Sequence, residues 1–363
     1  MTGPAISLDD FEARARALLS PDIWDFIAGG SGSEITMQAN RRALDSVAVY
    51  PRVLGGSLGG TGTRLLDTTM SMPFAVAPMA YQRLVHPDGE IPMAEAACQA
   101  GIPLMLSALS SCRVEEVAAT GVSIWFQLYW LADRHRLEQL IGRAQDAGST
   151  ALAVTLDVPI MGRRLRDIRN QFALPAEVVA ANLTEGTTSG AHLVRTGESA
   201  IAAHTTQLFG PAPTWSDLEW LRSRISVPLV VKGILDPRDA ARAVSLGADA
   251  VVVSNHGGRQ LDGAPASITA LAAVVAEVGQ QCQVLLDSGI RSGTDVLRAL
   301  ALGASGVLVG RPLLWALALD GAAGVADALS LLGTELRESL ILAGCADLAA
   351  ARELRTDQGR SCR

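Results

Sequence analysis

The sequence predicts a (β/α)8 barrel with an N-terminal helical extension and a long loop after the fourth strand. Three observations predict it. Eight short, nearly continuous apolar runs recur along the chain, as in parallel strands buried on both faces. Helix-like stretches separate them, among them Arg134–Ala147, Asp236–Leu246 and Thr294–Leu302. LGADAVVVSNHGG (246–258) and LGASGVLVGRP (302–312) also repeat one phrase: helix end, Gly-Ala, apolar strand, terminal glycine. That is an internal βα repeat, and eight alternations suit a closed barrel better than an open doubly wound sheet.

Taken in order, residues 1–72 read as a helical cap and a segment closing the barrel's bottom. The strand runs follow over 73–310: PFAVAP (73–78), PLMLSA (103–108), SIWFQLY (123–129), ALAVTLD (151–157), PLVVKGI (228–234), AVVVSN (250–255), QVLLDSG (283–289) and GVLVG (306–310). Six of the eight end in Gly, Pro or a polar residue, which a buried helix would not do so regularly. The connection between the fourth and fifth runs is far longer than the rest. It is read as a mobile loop over 177–212, with a Thr/Ser/Gly-rich stretch at Thr184–Gly190. Such a connection leaves the strand's C-terminal end, the catalytic face of barrels, so a lid is expected. Residues 311–363 are helix-rich and end in a polar tail expected to be loose from Thr356. The 363 residues are one domain.

Composition narrows the function. With 30 basic and 37 acidic residues the formal charge is −7, which argues against nucleic-acid binding and gives no reason to expect a membrane surface. The uncharged stretch Ala96–Cys112 contains Gln99, Gly101, Pro103 and three serines, so it is not a span. The five cysteines are widely spaced with no metal-ligand pattern, and a reducing cytoplasm is expected. Arginine supplies every basic residue except Lys232, the only lysine. A lysine kept at the end of PLVV would aim its amine into the barrel mouth, towards an anion or an electron-rich ring, because a buried unpaired charge is costly.

Other polar residues gather at strand ends: Gln127, Tyr129, Thr155, Asp157, Ser254, Asn255, His256 and Asp287. Turn chemistry and helix capping account for part of that set. In SNHGGRQLD (254–262) a histidine sits three residues before Arg259. That pairs a proton carrier with a fixed cation, and Asp157 is the candidate to set the ring's tautomer. GRRLRD (162–167) follows the fourth run, so Arg164 and Arg259 form an anion pocket beside the base, able to grip a carboxylate in parallel bonds. DSGIRSGTD (287–295) and GRP (310–312) end the last two runs, where barrels bind phosphate through backbone N–H groups and nearby arginines.

SNHGGRQLD, LDSGIRSGTDVLRALALGA, FQLY, TLDVPIMGRR and APMA resemble the FMN-dependent 2-hydroxy-acid oxidases and dehydrogenases, over roughly residues 25 to 348. The resemblance implies an FMN across the barrel mouth. Pro78, Met79 and Ala80 would line its ring, with Ser107, Gln127 and Thr155 bonding its edge and Lys232 beside the locus where negative charge appears on reduction. Ser254 would touch the ribityl region, and Asp287, Gly289, Arg291, Gly310 and Arg311 would hold the ribityl and phosphate. His256 would be the active-site base with Asp157 its partner. Arg164 and Arg259 would clamp the substrate carboxylate, and Tyr129 would bond near the substrate hydroxyl. The resemblance further implies a homo-oligomer, a tetramer.

Three departures shape the substrate expectation. Phe26 stands where many members have tyrosine, so one carboxylate contact is lost. Leu109 stands where plant-type glycolate oxidases carry tryptophan, leaving room for a ring to which Met161 could adapt. Ala80, where dehydrogenase members often carry glycine, favours O2 as electron acceptor and H2O2 as product. An aryl (S)-2-hydroxy acid is therefore expected over an aliphatic one such as lactate or glycolate. A sugar-phosphate aldolase or isomerase, and a flavin-binding protein without turnover, are the competing classes; the first would have no use for NHGGRQ beside two anion-clamping arginines.

Overall fold

The computed structural model describes residues 3–55, 60–183, 189–195, 197 and 199–357. Eight parallel strands close into a barrel: β1 (Phe74–Val76), β2 (Leu104–Ser107), β3 (Ile124–Leu128), β4 (Ala151–Thr155), β5 (Leu229–Ile234), β6 (Ala250–Val253), β7 (Gln283–Leu286) and β8 (Gly306–Val309). Each lies within its apolar run. Nearly every strand residue is buried, because one face meets the barrel interior and the other the surrounding helices.

Among the described residues the helices are α1 (Leu8–Leu18), α2 (Pro21–Ala28), α3 (Ile35–Ser46), α4 (Ile91–Gln99), α5 (Val114–Ala118), α6 (Arg134–Asp146), α7 (Leu165–Arg169), α8 (Ala200–Leu208), α9 (Trp215–Arg224), α10 (Pro237–Ser245), α11 (Ser267–Val278), α12 (Gly293–Ala301), α13 (Arg311–Leu342) and α14 (Leu348–Arg352). Local chemistry sets several starts. Asp133 caps α6, Asp236 caps α10 with Pro237 in its first turn, and Ser292 caps α12. The span α13 is long and apolar enough to cross a bilayer. Here it packs against α1, α4 and α12 and breaks at Asp320–Gly321, where Gly321 has φ of 51°.

The barrel's N-terminal end is plugged. A hairpin of Thr63–Leu65 and Thr68–Met70 places Leu65, Leu66 and Met70 against the interior side chains Met105, Trp125, Leu285 and Leu308. Gln283 Oε1 accepts from Leu66 N at 2.9 Å and fixes the plug to β7.

Three expectations need correction. The N-terminal segment does not only close the bottom: α2 and α3 run up to the mouth, where Ser31 N donates to Gly258 O at 2.9 Å. The tail starts in order, since Thr356–Asp357 pairs antiparallel with Ala48–Val49 and so satisfies backbone groups that a loose tail would leave to water, while 358–363 lie outside the described residues. The 177–212 connection is no plain loop. Its polar residues 184–188 lie outside the described residues, but a 3-10 turn (Ser189–His192) and α8 follow. Ala200, Ile201 and Ala203 bury one face of α8, and Ser199 caps its start.

Candidate active site

A deep cavity opens at the C-terminal end of the strands. A hydrogen-bonded polar belt lies at and just under its floor, built by neighbouring strands in register. Ser107 pairs with Gln127, and Thr155 with Lys232. Gln127 Nε2 donates to Thr155 Oγ1 at 3.0 Å. Lys232 Nζ donates to Ser254 Oγ at 3.0 Å and meets Asp287 Oδ2 at 2.8 Å. Burial opposes the ammonium, but Asp287 and Asp157 outweigh it, so Lys232 stays charged with its pKa above the ordinary value.

His256 stands on the wall of this cavity. Its Nδ1 lies 3.0 Å from Asp157 Oδ1, so the ring's other nitrogen is the one left for a ligand. Burial lowers its pKa, more than Asp157 raises it, which keeps the imidazole neutral near pH 7. Burial works against the Asp157 carboxylate too; His256 and Lys232 prevail and hold it below the usual range. The local backbone is specialised for this. His256 has φ of 58°, a left-handed conformation uncommon outside glycine, and its N–H donates to Ser254 Oγ at 3.0 Å. Gly258, at φ of 75°, leaves no room for a side chain, because a Cβ there would meet Met37 Cα at 2.5 Å. The Gly-Gly pair of the motif lets the β6 loop pass against α3.

Beside His256 lie two buried guanidinia. Arg259 Nη1 donates to Phe26 O at 2.7 Å and Gly29 O at 3.0 Å, the free carbonyls at the end of α2. Arg164 makes no ion pair among the described residues; its Nε is buried without an acceptor. Burial first, and then Arg259, push its pKa down to about 9. Both guanidinia face the ring of Phe26, at 5.9 Å and 5.3 Å from its centroid. Two desolvated cations side by side, within reach of a neutral base, form a receptor for an anion.

A second positive locus adjoins the first, since Arg311 and Arg259 both donate to Ile27 O and Gly29 O. Arg291 and Arg311 line it with Gly289 and Gly310. Arg311 is braced by Ile27 O, Gly257 O and Gly29 O at 2.9 Å, 3.0 Å and 3.0 Å. Burial and then the neighbouring arginines Arg259, Arg291 and Arg164 drive its pKa well down, so the locus has excess positive charge and calls for an anion. Arg291 lies over the Trp315 ring at 4.9 Å.

Pro78, Met79, Ala80, Tyr129, Leu109, Met161 and Phe26 also reach the cavity wall. The Tyr129 hydroxyl has no hydrogen-bond partner among the described residues, and its ring stacks on Phe209 at 4.6 Å. Ser107, Gln127, Thr155, Ser254 and Asp157 belong to the buried belt at and just under the floor rather than to the wall.

Sequence reasoning missed several contributors. Ile201, Thr205 and Phe209 bring one face of α8 onto the cavity. Gln260 ties the β4 and β6 loops, donating to Asp157 O at 2.7 Å and accepting from Gly162 N at 3.0 Å. Tyr81 and Gln82 extend the β1 loop along the wall. Gln260 stands within SNHGGRQLD and Tyr81 next to APMA, so adjacency to those motifs was the available signal.

The family model of the FMN-dependent dehydrogenases matches residues 15–357. This chain belongs to the FMN-dependent dehydrogenase family. It is 52% identical to a 4-hydroxymandelate oxidase of Amycolatopsis orientalis, over 98% of this chain and 99% of that one. An L-lactate oxidase of a Nostoc species is 47% identical, over 94% and 95%. The crystal structure of a mandelate oxidase with (S)-4-hydroxymandelic acid superposes with a TM-score of 0.95 at 51% identity, covering 97% of this chain and 99% of that one.

FMN is the family's cofactor, and the residues present fit it. The buried Gln127 Oε1 lacks a donor, as a ring N–H would supply. Lys232 sits in the floor as a fixed cation for a ring that gains negative charge. The Arg291–Arg311 locus suits a phosphate dianion. Ala80, Met79 and Pro78 give an apolar wall for the ring.

Proposed function

We propose that the protein oxidises an aryl (S)-2-hydroxy acid, of the mandelate or 4-hydroxymandelate type, to the 2-oxo acid, with O2 reduced to H2O2. The observation that carries the reading is the pair Arg164 and Arg259, buried and in no ion pair among the described residues, beside the His256–Asp157 dyad. Arg164 and Arg259 bind the substrate carboxylate and orient the α-carbon into the cavity. Tyr129 donates to the substrate oxygen. His256 takes the hydroxyl proton at the nitrogen not held by Asp157, and Asp157 stabilises the imidazolium so formed. FMN supplies the two-electron acceptor for the α-hydrogen when bound. Closure by α8 keeps water from the ring side.

Room for a ring beside Leu109 and Met161, and the names of the two oxidases at 52% and 47% identity, support the aryl oxidase over a dehydrogenase. The named L-lactate oxidase keeps an aliphatic acid as the competing substrate. The test is anaerobic titration with (S)-mandelate, (S)-4-hydroxymandelate, lactate and glycolate, followed at the flavin's visible band, then admission of air. Bleaching by the aromatic acids and recovery with H2O2 is expected; bleaching by lactate or glycolate alone overturns the aryl assignment.

We further propose a homo-oligomer, a tetramer, in a reducing cytoplasm. Exposed Val53, Leu54 and Leu342 support an assembly surface, and the free, buried thiols of Cys112 and Cys345 are in keeping with that compartment. Sedimentation equilibrium measures the first.

A further inference from the structure

Arg164, Arg259 and His256 lie together on the cavity wall, so a substrate held there by its carboxylate turns its ring away from them. Leu109 and Leu84 give an apolar stretch of wall, and Tyr81 stands between them, bonded through its backbone to both. Tyr81 is 2% exposed, lines the cavity, and its hydroxyl has no hydrogen-bond partner among the described residues. Burial raises its pKa above the ordinary phenol value, so the hydroxyl remains a donor at every working pH.

The residue is held unusually firmly. Its φ of 58° and ψ of 47° put a bulky aromatic in the left-handed region, a strain that persists where surroundings over-determine it. They do. Tyr81 N donates to Leu109 O at 3.1 Å, joining the β1 and β2 loops beside the ring space. The buried Glu90 carboxylate then accepts from Gln82 N, Ser111 N and Cys112 N at 3.1, 2.9 and 2.9 Å, pinning the same two loops. A rigid hydroxyl that opens on a cavity without a protein partner can discriminate between ligands that do and do not satisfy it.

We propose that the Tyr81 hydroxyl is a specificity-determining group that hydrogen-bonds a phenolic hydroxyl on the substrate ring, para to the reacting side chain. The inference rests on the aryl reading above and deepens it. One rival exists on α8. Thr205 also lines the cavity, its hydroxyl without a hydrogen-bond partner among the described residues, whereas its neighbour Thr206 turns back to Ala202 O at 2.9 Å. Thr205 is carried by the lid helix rather than by the pinned loops.

The test compares the holoenzyme with Tyr81→Phe and Thr205→Val. Each is measured for kcat/KM on (S)-4-hydroxymandelate and (S)-mandelate, and by calorimetry for binding of 4-hydroxybenzoylformate and benzoylformate. Tyr81→Phe is expected to lower kcat/KM for the hydroxylated acid about tenfold, with mandelate changed less than about twofold and the same split in the two binding constants. Equal losses on both acids would make Tyr81 merely structural and overturn the proposal. So would an unchanged ratio, or a ratio that shifts in Thr205→Val instead. Failure of the wild type to oxidise either aromatic acid while it oxidises lactate overturns the aryl reading and this inference together. Turnover of both acids with the ratio unmoved by Tyr81→Phe overturns this inference alone.

Discussion

At the scale of single residues, the chemistry depends on which groups are left without partners. His256 has one nitrogen tied to Asp157 and one open. His256→Asn should retain bound FMN, visible as the yellow band, and slow anaerobic flavin reduction by about 10²–10⁴; rapid bleaching of that variant by substrate would remove His256 from the mechanism. The depressed pKa of His256 sets the pH dependence. The base works unprotonated, so kcat/KM should be flat at neutral pH and fall as pH drops through a value below the ordinary imidazole pKa. A limb centred above pH 7 would contradict the burial effect. Arg164 makes no ion pair among the described residues and its Nε is buried without an acceptor, so its guanidinium is available to a carboxylate. Arg164→Met should cost about 10²-fold or more in kcat/KM, and Arg164→Lys should restore little, since an ammonium lacks the parallel donor pair. Leu109 is 7% exposed and faces the ring space. Leu109→Trp should fill that space, suppressing mandelate oxidation more than glycolate oxidation in steady-state assays.

At the scale of elements, the barrel strands were legible because a strand buried on both faces writes itself as an uninterrupted apolar run, and β1 to β8 sit inside the eight runs. The motif loops were legible for a related reason: His256, Arg164 and Lys232 are polar residues placed where an apolar run stops. The helix α8 was not. AIAAHTTQL is weakly amphipathic, and its buried face exists only because the barrel mouth supplies a surface to cover. The hairpin plug was missed since three-residue strands carry too little alternation to register. The reach of α2 to the mouth was half legible; Phe26 was expected near the substrate, but not the use of α2's terminal carbonyls as acceptors for Arg259 and Arg311. Phe209 anchors the C-terminal end of α8 by stacking on Tyr129. Phe209→Ala should therefore raise KM for aryl substrates and speed amide hydrogen exchange in α8, while exchange in β3 stays unchanged.

At the scale of the whole molecule, the cofactor's cradle draws on both halves of the chain, from Pro78 at β1 to Arg311 after β8. Binding there closes the barrel's mouth as the hairpin closes its base. Removing FMN should lower the melting temperature by several degrees, since a ligand at about 100 times its Kd contributes about 2.7 kcal/mol; scanning calorimetry with and without added FMN would measure it. Trp125, fully buried between plug and barrel, is the complementary probe. Trp125→Ala should destabilise by about 3–5 kcal/mol with the site intact.

Lys232 has a practical consequence. It is the chain's only lysine, and it is 3% exposed at the centre of the barrel. A lysine-specific endoprotease therefore has a single bond to cut, between Lys232 and Gly233, and cannot reach it while the strands are paired. The protein carries its own one-site clock for opening: the rate at which two fragments emerge on a gel reports how often β5 is laid bare.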